Sequence, residues 1–100
     1  MSKAFIYILT NKTHSVLYTG VTSNLTQRLH QHQTGTFTDS FTHKYRVTKL
    51  VYFEEFVNIV DAIAREKQIK AGSRQKKIGL INHFNPEWKD LTNAANREII

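Results

Sequence analysis

A chain of 100 residues can hold one domain with a modest core and has no room for a second. Forty per cent hydrophobic residues with one Pro and four Gly exclude a disordered chain, and the lack of cysteine excludes a disulfide framework and a thiolate zinc site and fits a reducing cytoplasm. Fourteen Lys and Arg against eight Asp and Glu leave a formal charge of +6, which suits a polyanionic partner, nucleic acid above all, and equally a surface that is basic only for solubility.

Ala4–Leu9 and Val16–Val21 are rich in β-branched and aromatic residues, and the polar run Thr10–Ser15 separates them. They read as the two strands of an antiparallel hairpin. If Leu9 faces Val16, then Tyr7 faces Tyr18 and Phe5 faces Gly20, with both phenols on one side of the sheet. The missing side chain at Gly20 would leave room for an approaching group, although two adjacent tyrosines are more often core aromatics. The run Ala4–Leu9 is too short to span a bilayer and ends in Thr10-Asn11-Lys12 rather than a small-residue cleavage site, so neither a membrane span nor a signal peptide is expected.

Ser23 or Asn24 can cap a helix running to about Gln33, with Gly35 as its stop. Its apolar residues are Leu25 and Leu29. On a helical wheel His32 falls about 20° and Arg28 about 60° from Leu25, so an arginine and a histidine share the face that should meet the sheet. A snorkelling Arg28 and a satisfied core imidazole at His32 are the alternative. Thr34–Arg46 is a polar loop around Phe37 and Phe41, long enough to suggest a role in substrate choice. Val47–Glu55 reads as a third strand with Leu50 and Tyr52 on one face and Val51 and Phe53 on the other.

Asn58 or Asp61 can cap a second helix ending at Ala71 before Gly72, with an apolar stripe of Ile59, Ala62 and Ile63. Glu66 projects within about 20° of Ile59, in the middle of that stripe. A carboxylate there is costly unless it is paired or binds a cation. An intrahelical pair with Lys70 and a cation site are equally good readings. Ser73 can cap a third helix from Arg74 to about Phe84, with Ile78, Leu80, Ile81 and Phe84 as its apolar side. Arg65, Lys67, Lys70, Arg74, Lys76 and Lys77 form the densest positive stretch and are candidate nucleic-acid contacts, or simply a solvated face. Pro86 breaks the helix, Trp88 should pack back on the core, and residues 92–100 read as a fraying tail to a domain spanning 1–91.

Tyr7, Tyr18, Arg28, His32 and Glu66 could converge on one patch edged with positive charge. Phosphodiester hydrolysis needs such a set: a carboxylate for a hard divalent cation, a cation at the phosphate, and a group to position or deprotonate water. Other chemistries fit worse, for there is no Cys nucleophile, no Gly-rich phosphate loop and no His pair at i, i+4.

In this order and spacing the residues resemble the GIY-YIG nuclease superfamily, in its small stand-alone bacterial, UPF0213-like branch, over roughly Lys3 to Leu91. The first motif falls on Phe5-Ile6-Tyr7, with Phe5 in place of the leading Gly, and the second on Tyr18-Thr19-Gly20. The helical Arg and His match Arg28 and His32, and the metal-binding Glu matches Glu66; Ser73-Arg74-Gln75-Lys76-Lys77 and Asn85-Pro86-Glu87-Trp88 also resemble that branch. The resemblance implies an α+β fold, a three-stranded antiparallel sheet flanked by about three helices. It implies an endonuclease hydrolysing DNA phosphodiesters, with Glu66 holding one Mg²⁺ or Mn²⁺, Arg28 stabilising phosphate charge, and Tyr7 or Tyr18 helping to activate water. An ordinary phenol titrates near 10, so such a Tyr needs help from the metal or Arg28. A supporting Asn matches either Asn82 or Asn85. The rival functions are a nucleic-acid-binding module without turnover, for DNA or RNA, and a protein–protein adaptor with basic helices.

Overall fold

The structure is a computed structural model, and it describes residues 3–34 and 44–99. Three antiparallel strands, β1 (Ala4–Thr10), β2 (Leu17–Thr22) and β3 (Lys49–Phe56), form one sheet in the order β2-β1-β3. Four helices are described: α1 (Leu25–Thr34), α2 (Ile59–Ala71), α3 (Arg74–Phe84) and α4 (Thr92–Ile99). The expected α+β architecture is present, with one helix more than the sequence suggests. No helix among the described residues is long and apolar enough to cross a membrane.

β1 is the central strand and is buried along its whole length, which is why it reads as an unbroken apolar run. Its two faces serve two cores. Ala4, Ile6 and Ile8 pack with Val51, Ala62, Ile69 and Ile81, under α2 and α3. Phe5, Tyr7 and Leu9 pack with Leu25, Leu29, Val47, Leu50 and Ala95, under α1 and α4.

The hairpin register differs by two residues from the sequence expectation: Leu9 pairs with Tyr18, Tyr7 with Gly20 and Phe5 with Thr22. The cause is a tight turn built on Asn11. Its carbonyl accepts from His14 N at 3.1 Å, and its side-chain oxygen accepts from Ser15 N at 2.9 Å and Val16 N at 3.2 Å. This turn lets Thr10 pair with Leu17 across residues 11–16 and moves every β2 partner two positions later than expected. A shift of two preserves which face each residue occupies, so Tyr7 and Tyr18 still share one.

β3 begins at Lys49 and departs from strict alternation. Ile8 pairs with Tyr52 and Leu9 with Leu50, leaving Val51 as the extra residue of a bulge. Val51 and Tyr52 therefore both belong to the α2–α3 core, while Leu50 and Phe53 face α1, which corrects the expected Leu50/Tyr52 and Val51/Phe53 pairs.

Helix starts follow their caps. Asn24 Oδ1 accepts from Gln27 N at 3.1 Å, Asn58 Oδ1 from Asp61 N at 2.9 Å, and Ser73 Oγ from Lys76 N at 3.2 Å. The face of α2 that meets the sheet is centred on Ala62 and Ile69; Ile59 and Ile63, expected in the stripe, are exposed. In α3 only Ile81 is fully buried, and Phe84 lies at the surface with its ring edge-on to Tyr52 and Phe53. The residues expected to fray form α4 instead. Ala95 is fully buried against the α1 side, and Leu91 N donates to Leu50 O at 2.7 Å just before the helix starts. Trp88 packs on the α2–α3 core as expected. Residues 35–43 of the expected Thr34–Arg46 loop, with Gly35, Phe37 and Phe41, lie outside the described residues.

Candidate active site

Tyr7 sits at the centre of β1 and is fully buried. Its ring lies directly over Gly20, its partner on β2, where a Cβ would overlap the end of the phenol. The space left by Gly20 is thus occupied by Tyr7 itself. Tyr18, opposite Leu9, is the diagonal neighbour, with ring centroids 6.3 Å from Tyr7. His32, in the last turn of α1, closes the triangle: its ring centroid is 6.0 Å from Tyr7 and 5.7 Å from Tyr18, edge-on to both. A long hydrogen bond of 3.4 Å joins Tyr7 Oη and His32 Nε2.

Leu25 and Leu29 seat α1 on the sheet, and their spacing turns His32 inward with them. Arg28 stands one turn before His32 and is half-buried. Solvent access separates the two tyrosines. Tyr18 is half-buried, whereas Tyr7 is fully buried.

Glu66 projects from α2, which packs on β1 and β2 from the other layer. Its side chain is only 14% exposed, and it accepts from Lys70 Nζ at 2.9 Å. The intrahelical pair anticipated from the sequence is therefore formed. Lys70 reaches it on a half-exposed stem, a kind of pair that contributes about 0–1 kcal/mol, so a divalent cation can displace the ammonium at little cost. Among the described residues no group of three or more His, Cys, Asp or Glu side chains could hold a metal ion. A single recessed carboxylate fits a hard ion of the Mg²⁺ class, which keeps most of its waters and takes a substrate oxygen. It does not fit a fully chelated structural metal.

The basic residues of α2 and α3 divide. Arg65 is committed to Glu54, with Nε 3.1 Å and Nη2 3.1 Å from Oε2, and donates to Gln68 at 2.7 Å. Lys70 is on Glu66, and Arg74 donates to His14 O at 3.1 Å. Lys67 and Lys76 are exposed. Lys76 and Lys77 also line, with Arg65, Ile69 and Leu80, a groove of about 470 Å³ between the two helices.

Sequence reasoning overlooked the group behind Arg65. Tyr52 donates to Glu54, which bonds Arg65 across to α2. Burial first, then the hydrogen bond and charge of Glu54, push the Tyr52 phenol up to about 12. The i, i+2 spacing of Tyr52 and Glu54 was the available signal. Of the two asparagines, Asn85 is buried and ties the tail to the sheet, donating to Val51 O at 3.2 Å and Lys89 O at 2.8 Å. Asn82 is exposed and accepts from Trp88 Nε1 at 2.6 Å.

An antiparallel sheet with two tyrosines from adjacent strands under a helical Arg and His defines a class, and the chain belongs to it: the GIY-YIG catalytic domain family matches residues 3–79. Within that family the chain is similar to UPF0213 proteins. It is 42% identical over 87 residues to the one from Syntrophus aciditrophicus, covering 87% of this chain and 98% of that protein. It is 40% identical over 81 residues to the one from Staphylococcus haemolyticus, covering 81% and 96%. The solution NMR structure of the UPF0213 protein BH0048 from Bacillus halodurans has the same fold, with a TM-score of 0.57 at 28% identity over 90% of this chain and 94% of that one.

Proposed function

We propose that this chain is a metal-dependent endonuclease that hydrolyses DNA phosphodiesters. The observation that carries the reading is the packed triangle of Tyr7, Tyr18 and His32, with Arg28 one turn away on the same helix. Membership of a nuclease family and the charge of +6 support a nucleic-acid substrate.

Glu66 would hold one divalent cation, Mg²⁺ or Mn²⁺, which when bound polarises the scissile phosphate and stabilises its added charge. Arg28 supplies a second positive charge to the non-bridging oxygens. Tyr18, the more exposed of the two phenols, positions the attacking water and relays its proton to solvent. Tyr7, fully buried, holds His32 and so fixes the floor on which Tyr18 rests; both are positioning residues. β2 is an edge strand, contacted by α2 from one layer and bearing Tyr18 on the other face. A backbone laid across that edge can meet both layers.

Lys67, Lys76 and Lys77 contact phosphates away from the cleaved bond, while Arg65, Lys70 and Arg74 add charge from their pairs. Cleavage of labelled DNA with and without chelator, wild type beside Glu66→Ala, tests the reading.

A further inference from the structure

At the hairpin end of the sheet lies a second concavity, of about 610 Å³, that none of the motif residues lines. Lys12 enters it from the β1–β2 turn, and Arg46 and Lys49 enter from the start of β3. Among the described residues, Asp90 is the one acid in its wall. That carboxylate already accepts from Thr92 N at 3.0 Å and Thr92 Oγ1 at 2.6 Å, at the start of α4. Among the described residues, three cations thus share the cavity with one carboxylate that is engaged elsewhere.

The walls are held in place. Lys49 Nζ is 3.0 Å from His14 Nε2, and the His14 ring packs on Trp88 with centroids 4.9 Å apart. Arg46 adopts a left-handed backbone with φ 53°, unusual for a non-glycine residue, at the entrance to β3. Tyr45 forms an exposed aromatic wall, with Lys44 Nζ 5.4 Å from its ring centroid. An exposed aromatic ring among cations is a combination that grips a nucleic-acid backbone.

Position adds to composition. Lys49 pairs with Thr10, three residues along β1 from Tyr7. At about 3.3 Å per residue, Thr10 is roughly 10 Å along β1 from Tyr7, which sets the groove at the hairpin end of the tyrosine pair.

We propose that this groove is a docking subsite for the phosphate backbone of the DNA strand, away from the bond held at Tyr18. The inference rests on the nuclease reading above and extends it to where the strand runs. Its ligand chemistry is the phosphodiester, contacted by Lys12, Arg46 and Lys49.

The test is the salt dependence of affinity for a fluorescent DNA duplex about two helical turns long, measured in chelator so that nothing is cut. Lys12→Ala/Arg46→Ala should reduce the slope of log K against log salt by about two and weaken binding about equally for unrelated sequences. Both residues are exposed, so the melting temperature should not change. Arg46→Lys keeps the charge and should keep the slope. A double variant with wild-type slope and affinity overturns the subsite while leaving the nuclease reading intact. A wild type that shows no salt-dependent binding overturns both.

Discussion

The phenol of Tyr7 fills the space that Gly20 leaves on the neighbouring strand, so the two motifs of the family are one packed unit across the β1–β2 ladder. Gly20 is required for the approach of a ring rather than for a turn. Gly20→Ala would press a methyl into a buried, stiff side chain whose end cannot move without disturbing His32. We expect a loss of about 1–3 kcal/mol, read as a lower denaturation midpoint with unchanged m-value. A stability equal to wild type would mean that Tyr7 can swing away at no cost.

The exposure of the two tyrosines predicts unequal kinetic effects. Tyr18→Phe removes the hydroxyl of the more exposed tyrosine and should lower the cleavage rate by about 10²-fold or more, the scale of a lost proton-transfer group. Tyr7→Phe removes a long hydrogen bond to His32, a loss of about 1–3 kcal/mol in folding stability where the buried ring nitrogen is left unpaired, and should reduce the rate far less. Single-turnover rates on the same duplex decide between them; the reverse order would move the water to Tyr7.

The Tyr52–Glu54–Arg65 group predicts a weakness at alkaline pH. The folded phenol, at about 12, lies above the ordinary value of 10.0 that it regains on unfolding. Its contribution is therefore full below pH 10 and is lost as pH rises toward 12. Between those limits stability should fall by about 2 kcal/mol more than in Tyr52→Phe, as measured by urea unfolding. Parallel pH profiles for the two proteins would show that Tyr52 ionises as freely in the fold as outside it.

Much of this fold was legible because its signals are local. β-Branched and aromatic runs marked the strands, and Asn58, Ser73 and Gly72 marked helix ends. What escaped depended on pairing. The register moved by two because one side chain, Asn11, closes the turn, and β3 changed faces at Val51 because a bulge inserts a residue. Neither leaves a mark in hydrophobic periodicity. α4 was missed because its sequence is polar, and one small residue, Ala95, is enough to dock it. In α2 the larger Ile59 and Ile63 drew the expected face toward themselves, while the close approach to the sheet falls on Ala62.

The candidate site divides the same way. Helical spacing placed His32 inward and Arg28 beside it, and strand parity placed the tyrosines together even in the wrong register. The Lys12, Arg46 and Lys49 groove draws on segments far apart in sequence, and no linear pattern joins them.

The central claim is that Glu66 makes cleavage depend on a divalent cation. The most direct measurement is cleavage of labelled duplex, branched and single-stranded DNA in Mg²⁺ or Mn²⁺ and in EDTA, with wild type and Glu66→Ala side by side and binding followed in parallel. Wild type should cut at least one substrate only with metal, and the variant should bind that DNA without cutting it. Cleavage by Glu66→Ala at the wild-type rate, or cleavage that survives EDTA, would contradict the account.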